Sequence, residues 1–239
     1  MPPKAARGRK RAASPEPTKP DLPEPSTKRQ RTTSKQKESK ASHLYTDDNP
    51  ETTLHGTGFK DAATAHHTVD LVSKRSLTYQ FQTINTMLFR AKGHKHKTPG
   101  IEAAIDIFQD WVSKYKVRKA ELRAFPLLSK PKVKSYLEAF DAREYDVKSD
   151  EELKDAEAFA RMYTELGARK RLANTLVDIK HPELEDWDIR RYNRLCKLVP
   201  EDKEFHMDEL WTVGAEPEHK PSQTHLTLIL WGFSPSKKV

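Results

Sequence analysis

Thr98-Pro99-Gly100-Ile101-Glu102-Ala103-Ala104-Ile105-Asp106-Ile107-Phe108-Gln109-Asp110-Trp111-Val112-Ser113-Lys114-Tyr115 carries the clearest helical signal in the chain, and the rest of the fold is organised around it. Thr98 suits an N-cap, because its hydroxyl accepts a hydrogen bond from a first-turn N–H that has no partner inside the helix. Pro99 suits the first helical position, where its missing N–H costs nothing. From there Ile101, Ala104, Ile105, Phe108, Trp111, Val112 and Tyr115 recur at steps of three and four and make one broad apolar face. A face that wide needs partners, and they lie just upstream. Ala62, Ala65, Val69 and Val72 predict a helix over about 59–74, and Leu77, Phe81, Ile84 and Leu88 predict another over about 77–92. Ser76 caps the second and Gly93 closes it. Connections this short make the three helices antiparallel neighbours.

Downstream, Phe125-Pro126-Leu127-Leu128 breaks the periodicity before a fourth helix with Val133, Tyr136, Leu137 and Phe140 inward. Ser149 with Glu152 has the form of a capping box. It opens a helix through Leu153, Ala156, Phe159, Tyr163 and Leu166, extending toward Val177 and stopped by Pro182. A further helix carries Trp187, Ile189, Tyr192 and Leu195. Thr224 to Phe233 alternates partly like a strand, yet a helix after Ser222 fits better, since no partner strand is visible. The expected fold is all-α: a compact multi-helix domain of about six to eight helices over 59–235. It divides into a three-helix N-terminal part (59–115) and an acidic helical C-terminal part (130–235), preceded by a linker over 45–58 and a disordered basic tail over 1–44.

The chain has 239 residues, with 43 Lys and Arg against 35 Asp and Glu, a net charge of +8. Residues 1–42 hold twelve basic and four acidic side chains, so the whole excess lies there and the remainder sums to zero. Apart from Met1, Leu22 is the only large apolar residue before Leu44, too little to offset the entropy of ordering the segment. Lys28-Arg29-Gln30-Arg31, and Arg9-Lys10-Arg11 upstream, have the clustered basic spacing of nuclear-import signals. They predict nuclear localisation and an import receptor as partner. Arg7-Gly8-Arg9-Lys10 resembles a variant of the AT-hook core, with Lys10 where that family usually has proline; the resemblance covers four residues and implies minor-groove contact.

Within the rest of the chain the neutral total conceals a division. Residues 74–134 carry fourteen basic and four acidic groups, whereas 138–239 carry sixteen and twenty-two. Either the halves attract each other, or the basic half faces an external polyanion. The densest basic site is the loop between the second and third helices: Arg90, Lys92, Lys95 and Lys97 are fixed cations, and His94 and His96 add charge when protonated. It leads into a helix N-terminus, which favours phosphate. Lys114, Lys116, Arg118, Lys119 and Arg123 form a second basic run leaving the far end of the same helix, ~25 Å away by helical rise.

Chemistry beyond phosphate contact has little support. One cysteine, Cys196, excludes an internal disulfide framework. No apolar run is long enough to cross a membrane. There is no H-E-x-x-H, C-x-x-C, G-x-S-x-G, Walker loop or G-x-G-x-x-G, so no metal, cofactor or catalytic residue is assigned. The expectation is a nuclear, non-enzymatic DNA- or chromatin-associated protein. A scaffold for another nuclear protein, without nucleic-acid contact, is the alternative, and a helical enzyme such as a metal-dependent nuclease is the third reading.

Overall fold

A computed structural model describes residues 54–142, 150–212 and 220–237, within a compact unit spanning Asp47–Val239. Both import-like clusters, Arg9 to Arg11 and Lys28 to Arg31, lie outside the described residues, as does Ser149. Among the described residues eight helices follow in order: α1 (Ala62–Val72), α2 (Leu77–Lys92), α3 (Pro99–Glu121), α4 (Lys130–Asp141), α5 (Glu151–Glu165), α6 (Trp187–Leu198), α7 (Met207–Leu210) and α8 (Gln223–Leu230). A 3-10 turn at Leu172–Asn174 lies between α5 and α6. Among the described residues the only β features are two isolated bridges, Leu176 with Asp186 and Trp211 with Pro221. The protein is an all-α, multi-helix domain.

The N-terminal bundle, α1 to α3, forms as its local signals dictate. Asp61 caps α1 by accepting from Thr64 N at 2.8 Å, Ser76 caps α2, and Thr98 caps α3 by accepting from Ile101 N at 3.3 Å. Ile101, Ala104, Phe108 and Trp111 on α3 are buried, with Ala65 and Val72 of α1 and Ile84 and Leu88 of α2 also inside. Phe81 stacks on Tyr115 with ring centroids 4.1 Å apart. The end of the stretch read as linker is folded onto α1: Leu54 is 4% exposed, and Gly58 N donates to Thr68 Oγ1 at 2.8 Å.

α4, α5, α6 and α8 build a second core around Phe159, whose ring lies 5.2 Å from Trp231, 5.6 Å from Tyr163 and 5.9 Å from Trp187. Two expectations change here, and the helix expected through Trp187, Ile189, Tyr192 and Leu195 is present as α6. Asp150, not a Ser149–Glu152 box, caps α5 by accepting from Leu153 N at 2.7 Å, and the Glu152 carboxylate instead meets Arg194 at 3.0 Å and Trp231 Nε1 at 3.3 Å. α5 stops at Glu165 instead of continuing toward Val177, because Gly167 follows and the chain folds into the 3-10 turn. On α6 the buried positions are Trp187, Arg191 and Leu195, leaving Ile189 and Tyr192 half-buried. α8 is a helix, capped by Ser222, whose residues His225 to Leu230 are all buried; a helix covered on every side shows no 3.6-residue pattern.

His225, at the heart of this core, hydrogen-bonds through Nδ1 to Leu210 O at 3.0 Å and through Nε2 to Ser234 Oγ at 2.9 Å, with the Trp211 ring edge-on. Burial pushes its pKa down from 6.5 to about 4. Between those values the unfolded chain takes up a proton that the folded chain refuses, so stability is present above pH 6.5 and is lost as pH falls. Denaturant unfolding should show a loss of about 2 kcal/mol between pH 6.5 and 5, absent from His225→Gln. Equal pH profiles for the two proteins would contradict it.

Candidate nucleic-acid interface

The elbow joining α2 to α3 is built for exposure. Gly93 N bonds back to Phe89 O at 2.9 Å, and with φ −82° the glycine closes α2 in the right-handed region rather than by a left-handed turn. Every residue from Lys92 to Pro99 is exposed, which places Lys92, His94, Lys95, His96 and Lys97 together in solvent, with Arg90 half-buried at their base. His94 is a strut of the loop: its Nδ1–H donates to His96 O at 2.8 Å, and its ring sits edge-on to Phe59 at 6.3 Å. The His94 side chain thus shapes the loop through the His96 carbonyl. Among the described residues no group of three or more His, Cys, Asp or Glu is placed to hold a metal ion.

The α3 N-terminus contributes less than its sequence promises. Thr98 occupies the Ile101 N–H, and a Cβ on Gly100 would come within 3.0 Å of Lys60 O and 3.3 Å of Asp61 Cβ. Glycine at 100 serves the packing of the chain before α1 against the start of α3. That contact brings Lys60, a cation not singled out from the sequence, to the elbow. It also brings Asp61, whose carboxyl is held below its usual range by hydrogen bonds from the Thr64 backbone and hydroxyl. The fixed positive charge of the elbow is therefore that of its lysines, and the helix terminus is engaged by its cap and by the packing of the chain before α1.

The second basic run does not form one patch. α3 continues unbroken to Glu121, so Lys114 and Arg118 share one face while Lys116 lies about 200° around the axis from Lys114. Lys114 Nζ pairs with Asp110 at 2.7 Å, the Arg118 guanidinium covers the Trp111 ring at 5.4 Å, and Lys119 lies 5.9 Å from the Tyr115 ring. Arg123 donates to Val199 O and Pro200 O, the end of α6.

The acidic half does not neutralise the elbow among the described residues. Four of its carboxylates meet its own arginines: Glu152 and Asp155 hold Arg194, Asp155 also holds Arg190, and Asp141 with Glu157 holds Arg161. The ion pair of Arg75 with Asp186 joins the two halves, and among the described residues no ion pair involves Lys92, Lys95 or Lys97. The joining pair is buried, with side chains 1% and 0% exposed.

Where the bundles meet, a cavity of about 490 Å³ opens between the start of α2, the end of α3 and α6. Arg191 on its wall is buried and donates to carbonyls alone: to Phe125 O through both terminal nitrogens, to Trp231 O and to Gly232 O. Burial pushes its pKa down to about 10. Asp188, also on the wall, is pushed up, first by burial and then by Asp186. Arg191 thereby holds the C-terminal end of α8 and the Phe125 segment in place. Sequence periodicity missed Arg191 because a charge on an apolar stripe reads as an interruption. No helix among the described residues is long and apolar enough to cross a membrane.

Compared with protein-family models, curated proteins and solved structures, the chain matches none. Its functional reading rests on its own residues. Because no ion pair among the described residues uses Lys92, Lys95 or Lys97, the variant Lys92→Glu/Lys95→Glu/Lys97→Glu should melt within about 2 °C of the parent in a thermal scan. A drop beyond about 8 °C would show that the fold uses these ammoniums.

Proposed function

We propose that the protein is a nuclear, non-enzymatic DNA- or chromatin-associated helical protein that contacts phosphates through its basic tail and the α2–α3 elbow. The observation that carries this reading is that Lys92, Lys95 and Lys97 are exposed and outside every ion pair among the described residues. Cations in that state release counter-ions when they meet a polyphosphate, which is the main source of sequence-independent affinity. The tail adds its net charge of +8 in the same sense. Arg9 to Arg11 and Lys28 to Arg31 supply the clusters for an import receptor. Lys114, Lys116, Arg118 and Lys119 play a secondary part, because three of the four already lie against a carboxylate or an aromatic ring.

The test is nucleic-acid binding across a range of salt concentrations. The full chain should show a log K against log salt plot with a negative slope. Lys92→Glu/Lys95→Glu/Lys97→Glu should flatten that slope by about three, close to one for each phosphate no longer neutralised. Removing residues 1–46 should flatten it further while leaving salt-dependent binding by the remainder. If the triple variant binds as the parent does at every salt concentration, the elbow does not meet phosphate. The helical surface is then better read as a scaffold for another nuclear protein.

A further inference from the structure

Phe89 is the most exposed large hydrophobic side chain among the described residues, at 65%. It lies on the last turn of α2 and belongs to neither apolar core. The other aromatic residues of this helix are engaged: Tyr79 lies under the Arg75 guanidinium at 3.9 Å, and Phe81 stacks on Tyr115. A solitary exposed phenylalanine is ordinary on a protein surface. This one is distinguished by its neighbours. Lys92 follows three residues later on the same helical face, and Lys95 and Lys97 come next in the exposed elbow. Thr86, three residues earlier, is exposed on that face too. The ring therefore stands at the edge of the densest cation cluster of the domain, with polar side chains along the helix behind it.

We propose that the elbow binds single-stranded nucleic acid, with the Phe89 ring stacked on an unpaired base while Lys92, Lys95 and Lys97 hold the adjoining phosphates. This rests on the reading of the elbow as a phosphate-binding surface and names its substrate class. Two observations carry it. The ammoniums supply charge that suits a phosphate backbone and that no carboxylate among the described residues takes up. The ring supplies an apolar plane, which a duplex has no use for, since its base faces are already covered by their neighbours; a single strand presents them open. From Lys92 to Lys97 the chain spans at most ~18 Å, enough to follow a short stretch of strand on one side of the ring.

The experiment compares a short fluorescent oligodeoxythymidylate with a duplex of the same length, binding to the full chain at fixed salt. The parent should prefer the single strand. Phe89→Leu should weaken single-strand binding about tenfold, leaving duplex affinity and the salt slope unchanged, and Phe89→Tyr should restore it. Because the side chain is largely in solvent, none of these variants disturbs a core. Single-strand affinity unchanged in Phe89→Leu overturns the proposal. So does an equal loss on both substrates, which would mean that the ring wedges into duplex steps, or a parental preference for duplex. The failure of the underlying reading looks different: Lys92→Glu/Lys95→Glu/Lys97→Glu would then bind both substrates as the parent does, whatever Phe89 does.

Discussion

The carboxylate of Asp186 is the place where the two halves of the molecule are tied. Its Oδ1 accepts from Ile189 N at 2.9 Å and so caps α6, while its Oδ2 accepts from Ser76 N at 2.8 Å and from Arg75 Nε at 3.1 Å. The rest of the Arg75 guanidinium is used as well, on Pro182 O at 2.9 Å and Ala173 O at 3.3 Å, with the Tyr79 ring beneath it. Neither charge can be left inside without the other, since an unpaired buried ion costs several kcal/mol. The start of α2 is thereby fixed against the start of α6. α2 then runs sixteen residues away from this anchor, so its elbow stands ~24 Å from the point of attachment.

That arrangement sorts the charges. Arginines inside the C-terminal half, Arg161, Arg190 and Arg194, meet the carboxylates of α4 and α5, and Arg191 is spent on backbone carbonyls. Individually such partly exposed pairs contribute little to stability. Collectively they tie Asp141, Glu152, Asp155 and Glu157 to arginines of their own half. The elbow keeps its charge facing solvent. The same geometry separates two kinds of arginine that composition cannot distinguish: Arg75, Arg123 and Arg191 are structural, whereas Arg118 covers a ring at the surface.

The N-terminal bundle is legible in the sequence because its signals are local. Caps at Ser76 and Thr98, proline at 99 and the face from Ile101 to Tyr115 all act within a few residues of where they are read, and α2 and the start of α3 lie where they predict. The C-terminal half is less legible because its determinants are distant. Glu152 belongs to a capping box by spacing, yet Arg194 and Trp231 claim it from forty-two and seventy-nine residues away. Arg191 interrupts an apolar stripe that only the carbonyls of Phe125, Trp231 and Gly232 make tolerable. For the candidate site, the exposure of the elbow lysines follows from their loop. The freedom of Phe89 does not, since its spacing on α2 is compatible with a core position and only the tertiary packing shows it outside.

If one buried ion pair holds the bundles in the arrangement that leaves the elbow facing outward, its two residues must be strongly coupled. A double-mutant cycle measures that coupling: denaturant unfolding of the parent, Arg75→Met, Asp186→Asn and the double variant. The expected value is above about 2 kcal/mol, with each single variant strongly destabilised by the charge it strands. A coupling below about 0.5 kcal/mol, the level of an exposed surface pair, would contradict it.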